Sequence, residues 1–147
     1  MDIDTHYFLD TNALTRLHPK ERTGNFFMKN CHIPSSVLNE VGDPIDKGKL
    51  STLEYPINAK ILEIVKRIME KLDIHDTSLV NLYSNKGTAD PFLVATAIYA
   101  RDLEATKLFS TLYIVVSNDK AVRKICDCFD VETIDSTTFL TILKDNT

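Results

Sequence analysis

Leu112-Tyr113-Ile114-Val115-Val116-Ser117-Asn118-Asp119-Lys120 is the stretch on which the fold turns. Leu112 to Val116 is an unbroken apolar run ending in three β-branched residues, the strongest strand in the chain. It stops abruptly at Ser-Asn-Asp, residue types that cap helices, so a helix is expected to open at Asn118 or Asp119 and run toward Cys126. A buried strand feeding straight into a helix is the repeating unit of a parallel α/β sheet. It also leaves an acid, Asp119, at the carboxyl end of the strand.

The same layout recurs upstream. Tyr7-Phe8-Leu9 gives way to Asp10-Thr11-Asn12, a short buried strand followed by a helix cap. Pro19 to Asn30 reads as partly helical, with Phe26, Phe27 and Met28 as its apolar contacts. Cys31-His32-Ile33-Pro34 is a second brief strand. Ser35 or Ser36 then caps a helix that turns Val37, Leu38 and Val41 inward, with Glu40 in its first turns and Gly42-Asp43-Pro44 as its stop. Asp43 to Pro56 reads as an irregular connection. The clearest helix carries Ile61, Leu62, Ile64, Val65, Ile68, Met69 and Leu72 at helical spacing, with Lys60, Glu63, Lys66, Arg67 and Glu70 outside the stripe. Asp76-Thr77 is expected to cap a short helix through Tyr83, ending at Ser84 to Gly87. Thr88 is expected to cap another from Asp90 to about Asp102, with Pro91 in the first turn, where a missing N–H costs nothing. Its face Phe92-Leu93-Ala95-Thr96-Ala97-Tyr99-Ala100 is rich in small residues, as suits a helix packed closely on a sheet. Val131 to Ile134 reads as an edge strand, and Ser136 as the cap of a closing helix through Leu143.

At 147 residues the chain fits one domain, 1–147, with no linker-like stretch. Its 44% hydrophobic and 26% charged residues are ordinary for a globular protein. No apolar run approaches a membrane span, and the acidic start Met1-Asp2-Ile3-Asp4 lacks a signal-peptide layout, so a cytoplasmic protein is expected. Three cysteines argue against a disulfide framework, and neither Cys31-His32 nor Cys126-Asp127-Cys128 has zinc spacing. His6, His18, His32 and His75 are scattered and read as packing or surface residues. Only four glycines are present, and none forms a phosphate-cradling loop. The net charge of −4 speaks against general affinity for nucleic acid but leaves room for local basic patches.

Four acids stand where an apolar run meets a cap or a helix: Asp10, Glu40, Asp90 and Asp119. Parallel strands gather such junctions at their carboxyl ends. Carboxylates that converge there repel one another unless a cation is present, and a hard divalent ion bound by carboxylates usually works on phosphates. Each acid also has an ordinary reading: Asp10 as a helix cap, Asp90-Pro91 as a common helix start, Asp119 as a turn, Glu40 as a surface residue. Asp2, Asp4, Asp43, Asp46, Asp73, Asp127, Asp130 and Asp135 lie in turns or on polar faces and are expected to be solvated.

With these residues in view, the blocks LDTN, SSVLNE, GTADPFLVATA and VVSNDK follow in the order and rough spacing of a PIN domain, and the chain resembles the small prokaryotic kind that includes the VapC-type ribonuclease toxins. The resemblance covers nearly the whole chain. It implies a PIN-like α/β/α sandwich with a small, mainly parallel central sheet. Asp10, Glu40, Asp90 and Asp119 match the family's four acids, holding Mg²⁺ (or Mn²⁺) and activating water for phosphodiester hydrolysis. Asn12 and Ser117 match polar positions that hold those carboxylates in place, with Ser117 where threonine is more usual. It further implies an RNA substrate, a small antitoxin protein as partner, and a homodimer. Arg16, Lys20 and Arg22 after the first acid, and Lys120, Arg123 and Lys124 after the fourth, are the candidates for contact with the RNA backbone. Another class of reading is a PIN-like binding or assembly module with little or no nuclease activity, whose mark would be a missing acid. A receiver domain would want an acidic pair and a HAD-type phosphatase DxD, and Asp10 is followed by Thr11-Asn12.

Overall fold

Tyr7, Phe8 and Leu9 are all buried because β1 (Asp4–Leu9) runs through the middle of a sheet covered on both faces. The computed structural model describes residues 3–71, 89–105, 107–108 and 111–146, with Ala89 and Asp90 placed by backbone alone. On one side β1 pairs with β2 (Cys31–Pro34), and beyond it lies β3 (Glu54–Tyr55). On the other side it pairs with β4 (Thr111–Val116), followed by β5 (Glu132–Ile134). The order is β3-β2-β1-β4-β5 and every pairing is parallel. Parallel neighbours require a crossover between them, and here helices supply it.

Side-chain alternation splits the interior into two cores. Tyr7, Leu9, Ile114 and Val116 point to one, with Leu14, Phe27, Val37, Leu38, Leu50, Phe139 and Leu143. These come from α1 (Thr11–Thr15), α2 (Asn25–Asn30), α3 (Ser35–Glu40), α4 (Lys47–Ser51) and α8 (Ser136–Asp145). Phe8 and Val115 point to the other core, formed with α5 (Ala59–Lys71), α6 (Ala89–Glu104) and α7 (Lys120–Cys128). The result is the expected α/β/α sandwich. Each large side chain wholly buried there contributes about 1.5–3 kcal/mol. Leu93 to Ile98 of α6 are buried without a break, and the Thr96 hydroxyl is satisfied by the Phe92 carbonyl at 2.6 Å.

Several expectations need correction. The stretch from Asp43 to Pro56 is not irregular: Leu50 and Leu53 anchor it in the core, so it forms α4 and adds β3 beside β2. Neither Ser35 nor Ser36 caps α3. Pro34 stands at the cap position, and the Ser35 hydroxyl donates instead to Glu54 Oε2 at 2.7 Å. Glu40 is the last residue of that short helix, within its first two turns as expected. Leu62 lies off the buried stripe of α5 and is 52% exposed. Asp135, not Ser136, caps α8, accepting from the Thr138 amide at 2.7 Å. Asp46 is not solvated but buried against Arg22. His6 and His32 are not scattered in space: His6 Nδ1 lies 2.7 Å from His32 Nε2 across β1 and β2, and Asp4 bonds His6 Nε2 at 3.0 Å. Leu72, the helix from Asp76 to Tyr83 and the Thr88 cap fall outside the described residues. Among the described residues no helix is long and apolar enough to cross a membrane.

Candidate functional site

The register of the central strands brings Asp10 and Ser117 to one edge, with Asp119 two residues further on. Leu9 pairs with Val116, so the next residues, Asp10 and Ser117, leave the sheet at the same edge. Both backbones stay tied to it, the Asp10 amide to the Val116 carbonyl at 3.2 Å and the Ser117 amide to Ile134 at 3.0 Å. Asp10 then turns to cap α1, accepting the Ala13 amide on Oδ1 at 2.7 Å. Asp119 caps α7 in the same manner, with Oδ1 accepting from Ala121 at 2.8 Å and Val122 at 3.3 Å. The wholly buried Ser117 hydroxyl joins them. It accepts the Asp119 amide at 3.1 Å and lies near enough to the Asp10 carboxylate to favour its charged form.

Asp10 is 5% exposed, and burial pushes its carboxyl above the usual carboxylate range. The hydrogen bonds from Ser117 and Ala13 oppose that rise, the Asp119 charge adds to it, and the Arg16 charge lowers it. A buried acid beside a second acid is a pair that a divalent cation would relieve. Glu40, exposed at the end of α3, is tied to the same edge because the Thr11 hydroxyl donates to its Oε2 at 2.7 Å. Asp90 lies in the first turn of α6, and its side chain is outside the described residues.

Among the described residues no three His, Cys, Asp or Glu side chains stand close enough to hold an ion. What they offer is the pair Asp10 and Asp119, with Glu40 one hydroxyl away. Mg²⁺ commonly takes only one or two carboxylates and keeps several waters, so this all-oxygen pair fits Mg²⁺ or Mn²⁺.

The polar and basic candidates divide. Ser117 sits between the acids as expected, whereas Asn12 is exposed on α1 and its side chain bonds none of the described acids. Arg16, at the end of α1, is exposed and donates from Nη1 to Ser136 Oγ at 3.3 Å. Lys120, Arg123 and Lys124 lie on the exposed side of α7, with Arg123 Nε 3.4 Å from Thr133 Oγ1. Lys20 instead lines a surface hollow of about 370 Å³ with Pro19, Ile45 and Lys49. Arg22 is no candidate for phosphate contact, because it is buried and pairs with Asp46 at 3.0 Å. A second hollow of about 710 Å³ lies against α5 and α6; none of the four acids lines either hollow.

Two contributions escaped the sequence. Thr11 holds Glu40, and Ser136 accepts both the Arg16 guanidinium and the Asn118 side-chain amide, the latter at 2.8 Å. A hydroxyl beside a strand end was the available signal for each, though it does not reveal the partner. No protein-family model matches this chain, and no curated protein matches it either.

Proposed function

We propose that this chain is a metal-dependent endoribonuclease of the PIN type, a cytoplasmic enzyme that hydrolyses RNA phosphodiester bonds as the toxin half of a toxin–antitoxin pair. The observation that carries this reading is the Asp10–Ser117–Asp119 arrangement, a buried acid set beside a second acid at the carboxyl ends of adjacent parallel strands. Ligands of open parallel sheets gather at that edge.

In this reading Asp10 and Asp119 hold the ion, with Asp90 and Glu40 completing the acidic set. The Ala13 amide holds the Asp10 carboxylate and the Ala121 and Val122 amides hold that of Asp119, while Ser117 ties down the Asp119 backbone, so that the two acids need not reorganise when charge develops at the phosphate. Glu40, whose Oε2 accepts the Thr11 hydroxyl and which is open to solvent, would receive a proton from the attacking water. A bound Mg²⁺ supplies charge relief at the phosphate and makes water more acidic. The order of the four sequence blocks supports RNA as substrate, an antitoxin as partner and a homodimer as the working form.

The direct test incubates purified protein, and Asp10→Asn, with total cellular RNA in Mg²⁺ or EDTA. Discrete fragments from the parent alone, lost in EDTA, are expected. Equal cutting by the variant would sink the proposal. An open reading frame for a small protein beside this gene, whose product suppresses cutting, checks the partner; sedimentation checks the dimer.

Asp10 Oδ1 and Asp119 Oδ1 are both engaged in capping helices, which suits a second reading, a PIN-like binding or assembly module with little catalysis. RNA bound without any cleavage in Mg²⁺ or Mn²⁺ would select it.

A further inference from the structure

Three connections at the carboxyl edge of the sheet are stitched together by one hydroxyl. Ser136, the first residue of α8, accepts Asn118 Nδ2 at 2.8 Å and Arg16 Nη1 at 3.3 Å. Asn118 returns the bond, its Oδ1 accepting the Ser136 amide at 2.8 Å. The loop after β4, the start of α8 and the end of α1 are thereby held in one network.

The directions of these bonds matter. A serine hydroxyl has two lone pairs and one proton. Both lone pairs are occupied by N–H donors, so the proton is turned away from the network and can be given to an incoming acceptor. Arg16 is exposed and, among the described residues, spends one of its donors on Ser136, so the rest of its planar fork, suited to phosphate oxygens, is unclaimed by them. The backbone at this end of α8 is already engaged: Asn118 takes the Ser136 amide and Asp135 the Thr138 amide. Recognition of an anion therefore falls to the side chains. Asn118 lies between Ser117 and Asp119, so the network is contiguous in sequence with the acidic pair.

We propose that Arg16 and Ser136 form a phosphate subsite that grips a backbone phosphodiester of RNA beside the acids, with Asn118 as the positioning residue that sets Ser136. This rests on the nuclease reading, since it assigns the grip on that reading's substrate.

The test measures binding of a labelled single-stranded oligoribonucleotide in EDTA, where no cleavage intervenes, across a range of salt. Arg16→Ala is expected to weaken binding about 5–10-fold at low salt and to flatten the plot of log K against log salt by about 0.7, the share of one phosphate on a single strand. Ser136→Ala is expected to weaken binding about threefold without changing the slope, and Ser136→Thr, which keeps the hydroxyl, to bind like the parent. Losses from Arg16→Ala and Ser136→Ala should combine to less than their product, as residues in one network do. A parental slope in Arg16→Ala, or fully independent losses, would overturn the subsite while leaving the nuclease reading intact. A parent protein that binds no RNA at any salt would overturn both.

Discussion

Asp10 and Asp46 are buried almost equally, at 5% and 8% exposure, yet their surroundings differ in kind. Asp46 faces Arg22, whose Nη2 bonds its Oδ1 at 3.0 Å, so an opposite charge accompanies it inside. Their union is single: Arg22 Nε and Asp46 Oδ2 find no partner among the described residues. Among the described residues Asp10 meets dipoles, the Ala13 amide and the Ser117 hydroxyl, with a second acid nearby and Arg16 acting from an exposed position. A buried carboxylate paired with arginine holds two segments together. One held by dipoles, with a like charge nearby and its opposite charge at the surface, is balanced less directly, and that is the contrast on which the proposed metal site rests.

That contrast can be broken by experiment. The largest effect is expected from Asp46→Ala, which strands the Arg22 charge and should lower stability by about 3–5 kcal/mol in urea denaturation. Replacing both partners with apolar residues, as in Arg22→Met with Asp46→Leu, should recover most of the loss; no recovery would mean that the pair is more than structural. Asp10→Asn should act in the opposite sense. Cleavage should fall on the order of 10²-fold or more, as when one preorganised charged group is lost from an active site. Stability in EDTA should rise, because asparagine can still accept the Ala13 amide and the buried charge is gone. A drop in melting temperature comparable to that of Asp46→Ala would erase the distinction drawn here.

Next in size, Mg²⁺ at ten times its Kd should stabilise the parent by about 1.4 kcal/mol through mass action, and Asp119→Asn should shrink that gain. Calorimetry with and without the ion reads it directly. The smallest effect concerns acid. Burial lowers His32 to about 4, with the neighbouring His6 as a second cause. A lowered histidine keeps its full contribution above the unfolded value near 6.5 and loses it as pH falls toward 4. Asp10 runs the other way: its raised carboxyl favours the fold at low pH and burdens it as pH rises through the folded value. Denaturation of His32→Gln between pH 6.5 and 4 should show a shallower pH dependence than the parent; identical curves would remove His32 from the account.

The layered fold was largely legible because long apolar runs and helical stripes encode it locally. Leu112 to Val116 lies in a central strand, the Ile61–Ile68 stripe is buried apart from Leu62, and Asp10 and Asp119 proved to be helix caps just beyond adjacent strands. The two readings of those acids, cap and site, are not alternatives: a single oxygen makes the cap bonds. What escaped depends on contacts between distant segments. A two-residue strand such as β3 has no periodicity to detect, and it exists because Ile33 and Pro34 offer it an edge. The Arg22–Asp46 pair and the meeting of His6 with His32 likewise follow from chain crossings that no local pattern announces. Ser136 was displaced as a cap by Asp135, which freed its hydroxyl for Asn118 and Arg16.

The outermost strands, two residues in β3 and three in β5, are the shortest of the five. A margin that brief presents few unpaired amides and carbonyls to a stray strand, so the ladder offers poor purchase for edge-on recruitment or fibril growth. Self-association of this molecule is therefore expected to proceed helix against helix, and a substitution that lengthened either margin should surface first as loss of solubility.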